Sequence, residues 1–181
     1  MMNVCHYINF LLQCHVCLPF TVNWLNMDKS LCEQGIEEST VLTLRKKFFF
    51  SDKNVHSNDP VQLNLLYVQL RDTIVNGSHP CTRDECVHLA ALQCQILYGN
   101  YNKSRQKPGF LELYKFLPPH YVKQKKIEKS IFAEHCKLIN LNETNAKFRY
   151  IQFCRSLRTY GVTFFVVQVK MSMIHYQILY T

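Results

Sequence analysis

Eight cationic side chains stand between Tyr101 and Ser130: Lys103, Arg105, Lys107, Lys115, Lys123, Lys125, Lys126 and Lys129. Only Glu112 and Glu128 oppose them there, so this short window carries +6 of the formal +8 of the 181-residue chain. Ammonium and guanidinium groups at this density attract a polyanion, either phospholipid headgroups or a nucleic-acid backbone. Near an anionic membrane each Lys or Arg contributes on the order of 1 kcal/mol, so six to eight on one face would bind usefully. The alternative is a solvated charged face with no partner. Tyr101, Phe110, Tyr114 and Tyr121 interleave with the cations, as in some nucleic-acid tracks. No nucleic-acid motif accompanies them, so nucleic acid ranks well below lipid, and the residues by themselves favour the solvated face over either partner.

Other chemistry is thin. Cys14-His15-Val16-Cys17 has C-x2-C spacing, but no second pair follows at zinc-ribbon distance, so no metal is expected. The nine cysteines, at 5, 14, 17, 32, 81, 86, 94, 136 and 154, are odd in number and irregular in spacing. That pattern suits free thiols in a reducing cytoplasm. Cys86, Cys94 and Cys154 fall at apolar helical positions and read as buried thiols. His79, beside Pro80, is expected to order a turn, and His135 sits on a helix among mixed neighbours. No cysteine is paired with a poised base. Phosphate-cradling glycine loops and the H-E-x-x-H metalloprotease pattern are absent, and carboxylates such as Glu37-Glu38 read as turn residues. The chain is expected to be no enzyme and to need no cofactor.

The elements that must position the lysines are mainly helical. Val41 to Phe50 has β-type composition, and residues 51–60 read as a loop. Asp59-Pro60 starts a helix with Leu63, Leu66, Tyr67, Leu70 and Ile74 on one face and Gly77 as its stop. Thr82 and Glu85 form a capping box for a second helix, striped by Val87, Ala90, Ala91, Cys94, Leu97 and Tyr98. Leu89, Leu92 and Ile96 widen that stripe, so this helix should be central and most buried. A short helix over 111–117, another over 126–139 and a last one over 143–160 complete a compact helical lobe. After Gly161 the β-branched and aromatic run from Val162 reads as a strand.

Four runs carry a family resemblance: DPVQLNLLYVQLRDTIVNGSHP (59–80), GFLELYKFLPPHYVKQK (109–125), RSLRTYGVTFF (155–165) and LCEQGIEESTVLTLRKKFF (31–49). They resemble the FERM head of the talin family, over roughly residues 24–171. The resemblance implies an acyl-CoA-binding-protein-like helical middle lobe flanked by partial ubiquitin-like and PH/PTB-like β segments. It assigns 23–50 to the end of the ubiquitin-like lobe, 51–160 to the helical lobe and 161–181 to the first strand of a truncated PH/PTB-like lobe. Residues 1–22 do not look talin-like and stay unassigned; they are too interrupted for a membrane span and only weakly like a signal peptide.

The same resemblance implies a cytoskeletal adaptor. It would sit peripherally on the cytoplasmic face of the plasma membrane at adhesion sites, bind acidic phospholipids such as phosphoinositides, and help link integrin tails to actin. The integrin-gripping part is expected to be mostly missing. Lys107 and Lys123 match a membrane-orienting lysine patch of talins, to which Lys103, Arg105, Lys125 and Lys126 would add, with Phe110 as a shallow apolar contact. A further talin lysine aligns with Gln168, where Lys170 is only a near substitute. Two rivals stand beside this reading. One is a helical module holding an acyl chain, which a deep apolar pocket beside the basic loop would favour and a packed core would oppose. The other is a truncated product without independent function, its end strands unpartnered and aggregation-prone.

Overall fold

The computed structural model describes residues 10–14, 23–26, 28–46, 59–167 and 176–180. The chain divides into two units, Met1–Asp52 and Lys53–Thr181.

In the first unit, β1 (Phe10–Cys14), β2 (Asn23–Trp24) and β3 (Leu42–Lys46) form an antiparallel sheet in the order β2-β1-β3. Phe10 opposes Lys46 and Cys14 opposes Leu42, so β3 is paired along its whole length. Part of the stretch left unassigned from sequence is therefore the central strand. Between β2 and β3, Gln34 organises a turn: its side-chain amide donates to the carbonyls of Asn26, Lys29 and Ser30 at 3.0, 3.1 and 3.2 Å.

The second unit is mainly α, as the sequence indicates. Helix α1 (Pro60–Val75) begins where Asp59 Oδ1 accepts from the amides of Val61 and Gln62 at 3.0 and 2.9 Å. Those amides have no partner within a helix, so the carboxylate closes the first turn. Helix α2 (Arg83–Tyr98) carries the capping box: the Thr82 amide donates to Glu85 at 2.7 Å, and the Glu85 amide returns a longer 3.4 Å bond to Thr82 Oγ1. Helix α3 (Pro119–Val122) is short, and α4 (Ile127–His135) and α5 (Glu143–Ser156) complete the lobe. The five α1 residues named as its apolar face are all buried, as are Val87, Leu89, Ala90, Ala91, Leu92 and Cys94 of α2. Cys86 and Cys154 are buried thiols too. Tyr67 and Tyr150 meet edge to face at 5.1 Å between α1 and α5, the geometry that the ring quadrupole favours.

Several boundaries differ from the sequence reading. Leu97 and Tyr98, placed on the α2 stripe, are 55% and 44% exposed. Tyr98 packs against the side chains of Phe110 and Phe116, outside any α-helix. The helix expected over 111–117 is only a 3-10 turn at Leu113–Lys115. Pro119 holds the preceding Pro118 in extended backbone, with ψ 152°, and then opens α3, which periodicity did not reveal. Helix α5 stops at Ser156 because Leu157 turns extended and buries its side chain.

Beyond Gly161, β4 (Thr163–Val167) pairs antiparallel with β5 (Tyr176–Tyr180), Thr163 opposite Tyr180 and Val167 opposite Tyr176. The expectation of one C-terminal strand and of unpartnered strands at both ends is thus corrected. β3 and β4 both find backbone partners within the chain, in segments whose composition gave no clear strand signal.

Candidate functional site

The first arm of the site is the loop that follows α2. Gly99 closes the helix with φ 69° and ψ −149°, a conformation open to glycine and strained for other residues. The loop then ties to itself. Asn102 Oδ1 accepts from the Ser104 amide and hydroxyl at 2.9 and 2.6 Å. Gln106, only 4% exposed, accepts from the Asn102 amide at 3.1 Å through Oε1 and donates its own amide to the Asn102 carbonyl at 2.9 Å. With Gln106 turned inward as the internal acceptor, Lys103, Arg105 and Lys107 are left exposed around it.

Two groups on α4 fix this loop. Glu128 accepts from the amides of Gly109 and Leu111 at 2.8 and 2.9 Å. Both carboxylate oxygens are therefore committed to backbone. His135 is fully buried, with Nε2 2.8 Å from the Gly99 carbonyl and 3.1 Å from Gln95 Oε1. Both neighbours are acceptors, which assigns the proton to Nε2. Burial holds the His135 imidazole below its usual pKa, with the Gly99 hydrogen bond opposing. Gln95 extends the same knot, donating to the Leu141 carbonyl at 2.7 Å and to Asn100 Oδ1 at 3.1 Å. Tyr101 lies against His135 and Phe132 with ring separations of 5.8 and 5.7 Å. His135 is thus a core residue that seats the loop, a role its mixed sequence neighbours did not suggest. His79, expected to order a turn, has its side chain in a long-range contact, with Nε2 2.6 Å from Thr159 Oγ1.

The second arm is the turn between α3 and α4. Tyr121 donates to the Cys81 carbonyl at 3.1 Å, pinning α3 to the start of α2. Lys123 caps α3, and Lys126 adopts φ 63° and ψ 10° immediately before α4. A left-handed lysine carries a steric cost that glycine does not, so the turn holds Lys126 in place against a local preference.

Between the arms lies an open cleft of about 880 Å³. Lys103, Lys107, Lys126 and Lys129 line its exposed edge, and buried Ile127 and Phe132, with Tyr101 and Ala133, line its mostly apolar interior. Glu128 is the one acidic residue on the lining. Of the residues expected to act together, the fold brings Lys103, Lys107 and Lys126 onto this one cleft. Arg105, Lys123 and Lys125 are exposed but do not line it. Lys129 belongs to it and was not singled out as a site residue; its i, i+3 spacing from Lys126 was the available signal. Gln168, Lys170 and Cys17 lie outside the described residues. Lys115 is neutralised by Glu112 at 2.8 Å. Among the described residues, the other seven cations of the window make no ion pair. No described helix is long and apolar enough to cross a membrane.

Comparison with known proteins then gives the lineage. The FERM central domain family matches residues 52–165. A talin of Oscarella pearsei is 61% identical over 152 residues, covering 83% of this chain and 6% of that talin. Talin-1 of Gallus gallus is 55% identical over 150 residues, and Talin-A of Dictyostelium discoideum 52% over 147, covering 83% and 81% of this chain and 6% of each relative. The chain thus spans about 6% of the length of these talins. Among solved structures, the FERM and C-terminal domain complex of Drosophila Merlin aligns at TM-score 0.72 and 23% identity, over 87% of this chain and 55% of that one. A Dictyostelium discoideum Myosin VII MyTH4-FERM domain aligns at 0.68 and 18%, over 94% of this chain and 39% of that one. These structural likenesses show the fold.

Proposed function

Since the chain belongs to the FERM central domain family and is closely similar to talins, we propose that it forms part of a non-enzymatic cytoskeletal adaptor whose helical lobe rests on an anionic membrane face. One observation carries this reading: seven exposed cations, without an ion pair among the described residues, are gathered from two chain segments, four of them on a single cleft. A merely solvated face would not require a carboxylate, a buried imidazole and a strained lysine to hold its charges in place.

The partner is phospholipid, phosphoinositides included, at the cytoplasmic side of the plasma membrane. By kinship with talins, neighbouring parts of such an adaptor engage integrin tails and actin. Co-sedimentation of the full chain with phosphoinositide-containing and neutral vesicles tests the lipid contact. Binding is expected to the anionic vesicles alone and to weaken with salt, because the screening length falls from about 10 Å at 0.1 M to about 3 Å at 1 M. Lys107→Glu with Lys123→Glu should abolish it. Unchanged sedimentation of that double variant would reject the reading.

A further inference from the structure

The cleft joins a cationic edge to an apolar interior, and neither half by itself identifies what fills it. We infer that it seats one membrane phospholipid: the phosphate among Lys103, Lys107, Lys126 and Lys129, and the upper part of one acyl chain against Tyr101, Ile127, Phe132 and Ala133. This rests on the lipid reading above and deepens it from a diffuse electrostatic contact to a site of one-to-one stoichiometry.

Three observations support that occupant. An inorganic anion would satisfy the lysines but leave the apolar interior wet. A wholly apolar ligand would fill the interior but leave four ammonium groups without counter-charge at its edge. An anionic amphiphile does both. The four lysines outnumber the one acid on the lining, Glu128, whose two oxygens are held by the loop backbone. The size fits as well: about 880 Å³ lies within the roughly 300–1,000 Å³ of small-molecule sites. Depth sets the limit on the chain. Ile131 and Ile151 are fully buried in the packed core, and the cleft is open to solvent. Only the first methylenes enter, and the rest of the lipid stays in the bilayer.

Cys136 gives a direct readout, being an exposed thiol on the cleft lining. Cys32, exposed in the other unit, serves as an internal control. The full chain would be titrated with monomeric short-chain phosphatidic acids of increasing chain length, with glycerol phosphate as the chainless control. In parallel, maleimide labelling of Cys136 and Cys32 would be followed, and vesicle sedimentation measured on the same preparation. Affinity should rise about fourfold for each methylene that enters and then level off. Labelling of Cys136 should slow at least tenfold in bound protein while that of Cys32 stays unchanged.

Ala133→Trp, at an exposed helical position on the lining, should occupy the space for the chain and erase the chain-length dependence. Circular dichroism matching the parent chain checks that the variant is folded. Affinity independent of chain length, with Cys136 labelling unaltered, would overturn the inference. If vesicles still sediment the protein in that case, the electrostatic reading survives it; if they do not, both fall.

Discussion

At the scale of single residues, the site depends on side chains that do not carry its charge. Glu128 lies among lysines yet faces the loop backbone, accepting from Gly109 and Leu111. Its removal separates two effects of opposite sign. Deleting a negative charge from a cationic cluster should by itself tighten binding to anionic vesicles. Releasing the loop that carries Lys107 should weaken it. We expect Glu128→Ala to sediment several-fold less well than the parent, and tighter binding would show that charge alone matters. Lys126 is the second case. Its φ of 63° suits glycine better than lysine. Lys126→Gly should raise stability by up to about 1 kcal/mol in a denaturant titration, yet reduce vesicle binding. Loss of stability would mean that Lys126 contributes contacts outweighing its strain.

At the scale of elements, α2 is the scaffold of the lobe. It packs between α4 and α5, starts at a capping box and ends at the glycine from which the lysine loop departs. Thr82 has a side chain hydrogen-bonded only within its own cap, so the consequence of truncating it is local. Thr82→Ala should lower stability by about 1 kcal/mol, within the range of about 0.5–2 kcal/mol for lost caps. Thermal melting would check it. Because the loop is attached at the far end of α2, vesicle binding at temperatures well below the midpoint should be unchanged. Weaker binding there would indicate that strain travels along the helix.

At the scale of the whole molecule, the lobe has a built-in acid sensitivity. Burial is the leading cause holding His79, His88 and His135 below the ordinary imidazole pKa, each partly offset by a nearby acceptor or acid. The unfolded chain regains the ordinary value of about 6.5. Below that pH it binds protons that the folded state resists, so stability is complete above about pH 7 and falls as pH drops from about 6.5. Thermal midpoints should therefore decline between pH 7 and 5. A flat profile over that range would contradict the neutral state of these rings in the folded chain.

The local part of this architecture is written in the sequence. Asp59-Pro60, Thr82 with Glu85, and the apolar stripes of α1 and α2 act within one or two turns, so their physics is readable along the chain. The density of lysine between Tyr101 and Ser130 is likewise a matter of counting. What spacing did not reveal depends on segments that meet only after folding. The strand at Phe10–Cys14 has its role because it pairs with Leu42–Lys46. His135 is a core residue because Gly99, 36 positions earlier, presents a carbonyl to it. Lys103 and Lys107 share one cleft with Lys126 and Lys129 only because the loop folds beside α4. Periodicity reports the face an element buries; it carries no information on which distant segment that face will meet, and that is decided by tertiary packing.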